Sequence, residues 1–272
     1  MAFLAMPQPF DFDHTTERFR VFGPDLANLW HEGGLHRVVD GREVRIEGAP
    51  GGADVEPLDD ETRPVVLKLL GADFDLEAFR PTDPLLAEVV RRLRGFRPPL
   101  TPDPFEMLVG AITAQQISLR AAFAVRNRFV ERYGKRAELA YAFPTTEQVA
   151  PLKPDDLTTL GYSRRKADYV LALARSDLHF DALASLPDEE VKAALVALPG
   201  IGEWTADWFL ARHLARSHAW PAGDLALRKV VSDFYGDGRP LTIEEVRELG
   251  ARFDPFENLS AHYLLLGQRL PG

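Results

Sequence analysis

Residues 197–215 read ALPGIGEWTADWFLARHLA. Apolar residues at helical spacing run up to Leu198, LPGIG makes a tight turn, and a second helix starts near Glu203. Gly200 and Gly202 let the backbone approach a partner closely and leave amides free at a helix N-terminus. Those amides and the helix dipole suit a phosphate group. An ordinary helical corner that happens to contain glycines is the plainer alternative.

Downstream, AWPAGDLALRKVV (219–231) places Asp224 where a helix begins at Leu225. An aspartate there is an N-cap worth about 1 kcal/mol. Helical patterns fill the rest of residues 84–272. They include LLAEVVRRLRGF after Asp83-Pro84, FEMLVGAITAQQ (105–116), SLRAAFAVRNRFVERY (118–133), and the segment Ser163 caps. EEVKAALVAL follows Pro187-Asp188, and three more helices run through 225–235, 242–253 and 256–267. RPPLTPDP (97–104) is a connector in which helix cannot continue. Residues 1–83 carry β signals instead. RFRVF (18–22) alternates, and LHRVVDGREVRIE (35–47) has two arms joined by Asp40-Gly41, a hairpin dipeptide. A short helix is expected over Pro24–Trp30 and a loop over 48–54. The expected fold is an α+β N-terminal domain (1–83) followed by a mainly α-helical domain (84–272).

The chain has 272 residues, no cysteine and a formal charge of −9. The missing cysteines exclude disulfides, thiolate metal sites, a cysteine nucleophile and a cysteine-held iron–sulfur cluster. No apolar run approaches the ~18 residues that span a bilayer, and MAFLAMPQPF does not read as a signal peptide. No membrane partner and an intracellular, cytoplasmic location are expected. The acidic total argues against a polyanionic partner. However, residues 1–83 hold 8 basic and 17 acidic side chains, whereas 84–272 hold 24 of each. Residues 84–140 alone hold 10 basic and 5 acidic.

LPGIGEWTADWFLARHL followed by WPAGDLALRK resembles the helix-hairpin-helix DNA glycosylases, and within them the 3-methyladenine DNA glycosylase II (AlkA-type) branch. RRLRGFRPPLTPDPFEMLVGAITAQQIS (91–118) and LGYSRRKADYVLALA (160–174) extend the similarity. The resemblance implies a helix-hairpin-helix motif in the helical domain. It also implies excision of alkylated purines, 3-methyladenine and 7-methylguanine, from double-stranded DNA by base flipping. Asp224 becomes the carboxylate that assists hydrolysis of the N-glycosidic bond. Trp204, Trp208, Phe256 and Leu265 become pocket positions. Gln115, Gln116, Ser118, Gly200, Ile201, Gly202 and Thr205 become DNA contacts, with Gln116 the wedge that fills the gap left by the flipped base. An indole face attracts a cationic alkylated base by about 0.5–2 kcal/mol. Trp204 and Trp208 also read as core residues, and Gln115, Gln116 and Ser118 as a polar helix junction.

Relatives that nick the strand carry a nucleophilic lysine where this chain has Trp204, so a monofunctional enzyme without lyase chemistry is expected. No cofactor is expected to be required. The family hairpin often holds a monovalent cation, Na or K, through backbone carbonyls, and Val196, Leu198 and Ile201 are the matching positions. Departures from the family pattern are Glu203 beside the hairpin, Glu257 in place of an arginine, and Leu265 about where a pocket tryptophan stands. Other readings are a glycosylase for deaminated, oxidised or etheno bases, a non-catalytic damaged-DNA-binding protein, and a helical scaffold. A monomer is expected, since coiled-coil heptads are absent.

Overall fold

The computed structural model describes residues 1–270; the last two residues of the span 84–272 lie outside them. The chain forms β1 (Ala2–Ala5), α1 (Phe12–Thr16), α2 (Arg18–Val21), β2 (Leu29–His31), β3 (Gly34–Val39), β4 (Arg42–Ala49), β5 (Gly52–Glu56) and α3 (Thr62–Leu69). Next come α4 (Pro84–Arg92), α5 (Pro104–Ala114), α6 (Leu119–Tyr133), α7 (Thr146–Val149), α8 (Pro154–Thr158) and α9 (Arg164–Ala174). The last group is α10 (Phe180–Leu183), α11 (Asp188–Val196), α12 (Glu203–Arg212), α13 (Leu225–Tyr235), α14 (Ile243–Gly250) and α15 (Glu257–Arg269), with a 3-10 turn at Ala251–Phe253.

The strands make one antiparallel sheet in the order β1-β5-β4-β3-β2. Alternation puts Val44 and Ile46 of β4 on one face, beside Leu35 of β3 and Val55 of β5. That face is covered by Val66 and Leu69 of α3 and by Phe19 of α2. Asp40 and Gly41 both adopt positive φ, as the hairpin dipeptide requires. A second, larger apolar core begins at Phe74 and takes in α4 to α15. Its long inner helices are α5, which packs on α6, α9 and α12, and α15, which packs on α4 and α13.

Three local expectations are corrected. RFRVF is a helical turn, not a strand. Five residues of alternation also fit one turn of helix, and Asp11, which caps α1, starts helical backbone just upstream. Pro24–Trp30 forms no helix up to its strand residues. There the Leu26 amide donates to Asn127 Oδ1 of α6, and Asp25 and Asn28 enter a buried polar network. Residues 48–54 are strand at both ends, turning at Pro50-Gly51 with Gly51 at φ +79°. Proline first and a positive-φ glycine second suits a tight turn.

Two arginines of the basic stretch serve the interior. Arg97 is 1% exposed and donates to the carbonyls of Pro7, Gly71 and Phe74, tying the first third of the chain to the helices. Arg126 donates to Asp25 and Glu106. The exposed basic residues of 84–140 are therefore fewer than the sequence count implies.

Candidate active site at the hairpin

The hairpin lies between α11 and α12, and each glycine has its own reason. Gly200 sits at φ +83°, and a Cβ there would lie 2.1 Å from the Tyr169 ring of α9. Gly202 has extended backbone, with open space where a Cβ would stand. One glycine is thus required by the fold, and the other leaves an outer surface clear. Gly200→Ala combines positive-φ strain with an aromatic clash, so a loss of about 2–4 kcal/mol is expected in a urea melt. Gly202→Ala is expected to change stability by less than about 1 kcal/mol.

The α12 helix is fixed at both ends. Gln115 Nε2 at the end of α5 donates to the Gly200 carbonyl at 2.9 Å. Asn258 Nδ2 of α15 donates to the Ala211 and Arg216 carbonyls at 3.1 and 2.9 Å. This rigid helix projects Trp204 and Trp208, one turn apart, toward the start of α13.

Asp224 stands at that start. Its Oδ1 accepts from the Ala226 and Leu227 amides, both at 2.9 Å, which is the N-cap role. Its Oδ2 accepts from Trp204 Nε1 at 2.8 Å and Trp208 Nε1 at 3.0 Å. Capping and functional readings thus share one side chain: the cap aims the carboxylate, and the two indoles hold its other oxygen. Asp224, Trp204, Trp208 and Leu265 line one cavity of about 240 Å³. Trp204→Phe removes one indole donor and keeps the other. A loss of about 1–3 kcal/mol is expected in a urea melt, since Trp208 still holds Oδ2.

The tryptophans differ in what they offer a ligand. Trp204 is half-buried. Trp208 is 3% exposed, and its ring is already covered by the Arg212 guanidinium, 3.7 Å from the centroid. His262 meets the same indole edge-on. The expected attraction between a cation and the Trp208 face is therefore satisfied within the protein, and that face is closed to a base.

Other anticipated residues divide similarly. Gln116 is exposed at φ +58°, beside exposed Ile117 and Leu119. The α5 helix ends at Ala114, two residues before the expected end, because Gln115 already turns to extended backbone at ψ 128°. Ser118 caps α6 through the Ala121 amide at 3.3 Å. Thr205 is 1% exposed, so its side chain belongs to the core and cannot touch DNA. Ile201 is buried, and its amide donates to the Leu198 carbonyl at 3.2 Å. Phe256 packs on Phe79 at 5.5 Å and does not line the cavity. Glu203 faces Arg247 at 3.2 Å, and Glu257 faces His218 at 3.3 Å. Among the described residues, the Val196 and Ile201 carbonyls accept no loop or turn backbone hydrogen bond, and Leu198 keeps a lone pair. Lone pairs on these carbonyls are thus open to another partner.

Sequence reading missed Arg18, Arg212 and His262, all on the cavity wall. Arg212 follows Trp208 by four residues, so helical spacing pointed to it; nothing local marked Arg18. Burial, reinforced by neighbouring Arg212, pushes the His262 imidazole down to about 3. Burial takes His213, which bonds the Thr101 carbonyl, to about 4. Both are neutral in the fold, whereas the unfolded chain protonates them below about 6.5. The unfolded state thus binds more protons between about pH 4 and 6.5, and stability falls as pH drops through that window. Each group contributes roughly 1.4 kcal/mol per pH unit. Urea midpoints at pH 7, 6 and 5 test this, and His262→Gln is expected to flatten the slope.

A cavity beside a capped carboxylate and a glycine-cornered helix pair defines a helix-hairpin-helix protein. Residues 109–254 match the HhH-GPD superfamily of base excision DNA repair proteins, and the chain belongs to that family. It is 28% identical over 226 residues to the DNA-3-methyladenine glycosylase of Bacillus subtilis, spanning 78% of this chain and 75% of that protein. It is 33% identical over 206 residues to a probable bifunctional transcriptional activator/DNA repair enzyme AlkA of Mycobacterium tuberculosis, spanning 72% of this chain and 40% of that protein. Among solved structures, a 3-methyladenine DNA-glycosylase from Archaeoglobus fulgidus superposes with a TM-score of 0.89 at 28% identity, covering 99% of both chains.

Proposed function

We propose that this chain is a monofunctional DNA glycosylase that excises alkylated purines from duplex DNA. The observation that carries this reading is the Asp224 carboxylate, held by four donors at the edge of the cavity. Glycosidic cleavage builds positive charge on the sugar, and a fixed carboxylate stabilises it without reorganising. All four lone-pair positions of Asp224 are occupied. Charge stabilisation needs none of them free, whereas taking a proton from water requires an indole to let go. The electrostatic role is therefore the primary one.

The hairpin amides, open at Gly202, hold a backbone phosphate, and Gln116 fills the stack behind the flipped base. A Na or K ion on the Val196, Leu198 and Ile201 carbonyls would add positive charge at the phosphate. Trp204 replaces the lyase lysine, and among the described residues no lysine lines the cavity. The test is strand integrity after incubation with methylated duplex. Abasic sites that break only with alkali are expected; nicks without alkali, or a borohydride-trapped protein–DNA adduct, contradict the reading.

A further inference from the structure

The cavity wall carries four arginines, and they are not equivalent. Arg269 is paired with Glu17 at 2.8 Å, and Arg126 with Asp25 and Glu106. Arg18 and Arg212 form no ion pair among the described residues. Arg18 lies near the Phe19 ring at 5.7 Å, and Arg212 stacks on Trp208 with one long contact, Nε to His262 Nε2 at 3.5 Å. His262, held neutral by burial, adds no further positive charge and offers Arg212 only that one long acceptor contact. Burial is the largest influence on each guanidinium, and Arg18 bears electrostatically on Arg212. One comes from α2 in the first third of the chain and the other from the end of α12. The fold thus brings two partly desolvated cations to one wall and leaves their N–H groups unmatched.

Both residues are half-buried and line the cavity, and a ligand that supplies an acceptor there gains a charge-assisted hydrogen bond. The cavity also holds Asp224, so the group entering it is the base. We infer that Arg18 and Arg212 read a carbonyl oxygen on the flipped base, so that the enzyme favours oxo-purines over amino-purines. This rests on the glycosylase reading and adds a preference to it. Among alkylated purines, 7-methylguanine carries such a carbonyl and 3-methyladenine carries an amino group instead. Hypoxanthine carries the carbonyl without the positive charge, which two nearby guanidiniums disfavour. As the bond to such a neutral base breaks, the electron pair goes to the leaving purine, and the guanidiniums stabilise that anion.

The test measures kcat/KM for release of 7-methylguanine, 3-methyladenine and hypoxanthine by wild type, Arg212→Met and Arg18→Met. Methionine keeps the length and apolar packing, and circular dichroism checks folding. The variant-to-wild-type ratio for each substrate cancels that substrate's intrinsic lability. Either variant is expected to lose on the order of 10- to 100-fold on hypoxanthine and less on cationic 7-methylguanine, while release of 3-methyladenine, cationic and without the carbonyl, does not fall and rises where the guanidinium's repulsion is relieved. A common loss on all three bases overturns the inference and points to a phosphate contact or a structural role. No loss on any base overturns it as well. A wild type that releases only 3-methyladenine refutes the carbonyl preference and leaves the glycosylase reading intact. A wild type that releases none of the three refutes that reading itself.

Discussion

Asp224→Asn is expected to lose about 10²–10⁴-fold in single-turnover base release while remaining folded. The amide oxygen can still accept from Ala226 and Leu227, so the cap on α13 survives. The other end of the amide is then an NH₂ group facing two indole N–H donors that now bond Oδ2. Donor against donor costs about 1–3 kcal/mol, a lowered midpoint but not a lost fold. The negative charge is gone, and with it the stabilisation of a cationic sugar. Full activity in this variant would show that Asp224 is only a cap.

Glu106→Ala is expected to have the largest effect on stability, about 3–5 kcal/mol. Glu106 is 2% exposed and accepts from Arg37 at 2.7 Å, from Arg126 at 2.5 Å and from Asn28 at 3.2 Å. Burial alone would raise its pKa, but the two guanidiniums outweigh that and hold it below the usual carboxylate value. Arg37 lies on β3, Arg126 on α6 and Glu106 on α5, so the network joins sheet to helices. Removing the carboxylate leaves two buried cations sharing only Asp25 and Asn28. Glu106→Gln keeps the shape and some acceptor capacity and should cost less. A urea titration comparing both with wild type measures this; equal midpoints for all three would show that the network is energetically silent.

Local signals made much of the architecture legible. Asp83, Ser163 and Asp224 cap the helices their positions announced, and Asp103 and Ser118 cap two more. Asp40-Gly41 turned its hairpin with a positive-φ pair, as Glu32-Gly33 does between β2 and β3. What failed was short or decided at a distance. RFRVF is five residues long, and Asp25 and Asn28 answer to partners about 100 and 78 positions away. The site followed the same division. Asp224, Trp204 and Trp208 could be picked out through the family resemblance carried by the hairpin and the WPAGD turn; by position alone they read as a cap and as core. That the two indoles would bond the carboxylate, and that Arg212 would cover Trp208, needed side-chain directions no spacing supplies. Thr205 and Phe256 looked like contact residues by position and proved to face the core.

The acidic total also takes on a different meaning. The buried pairs of Arg37 and Arg126 with Glu106 and Asp25 absorb charge of both signs, and Arg97 is spent on carbonyls. Neutral amides at the hairpin, which the proposed function assigns to a phosphate, do not register in a charge count.

The most direct test of the account is chromatography of the free bases released when the purified protein is incubated with methylated duplex DNA. The account predicts intact methylated purine in the soluble fraction, in amounts matching the alkali-labile sites left in the strand. Bound but unreleased lesions, with no free base at any enzyme excess, would contradict it.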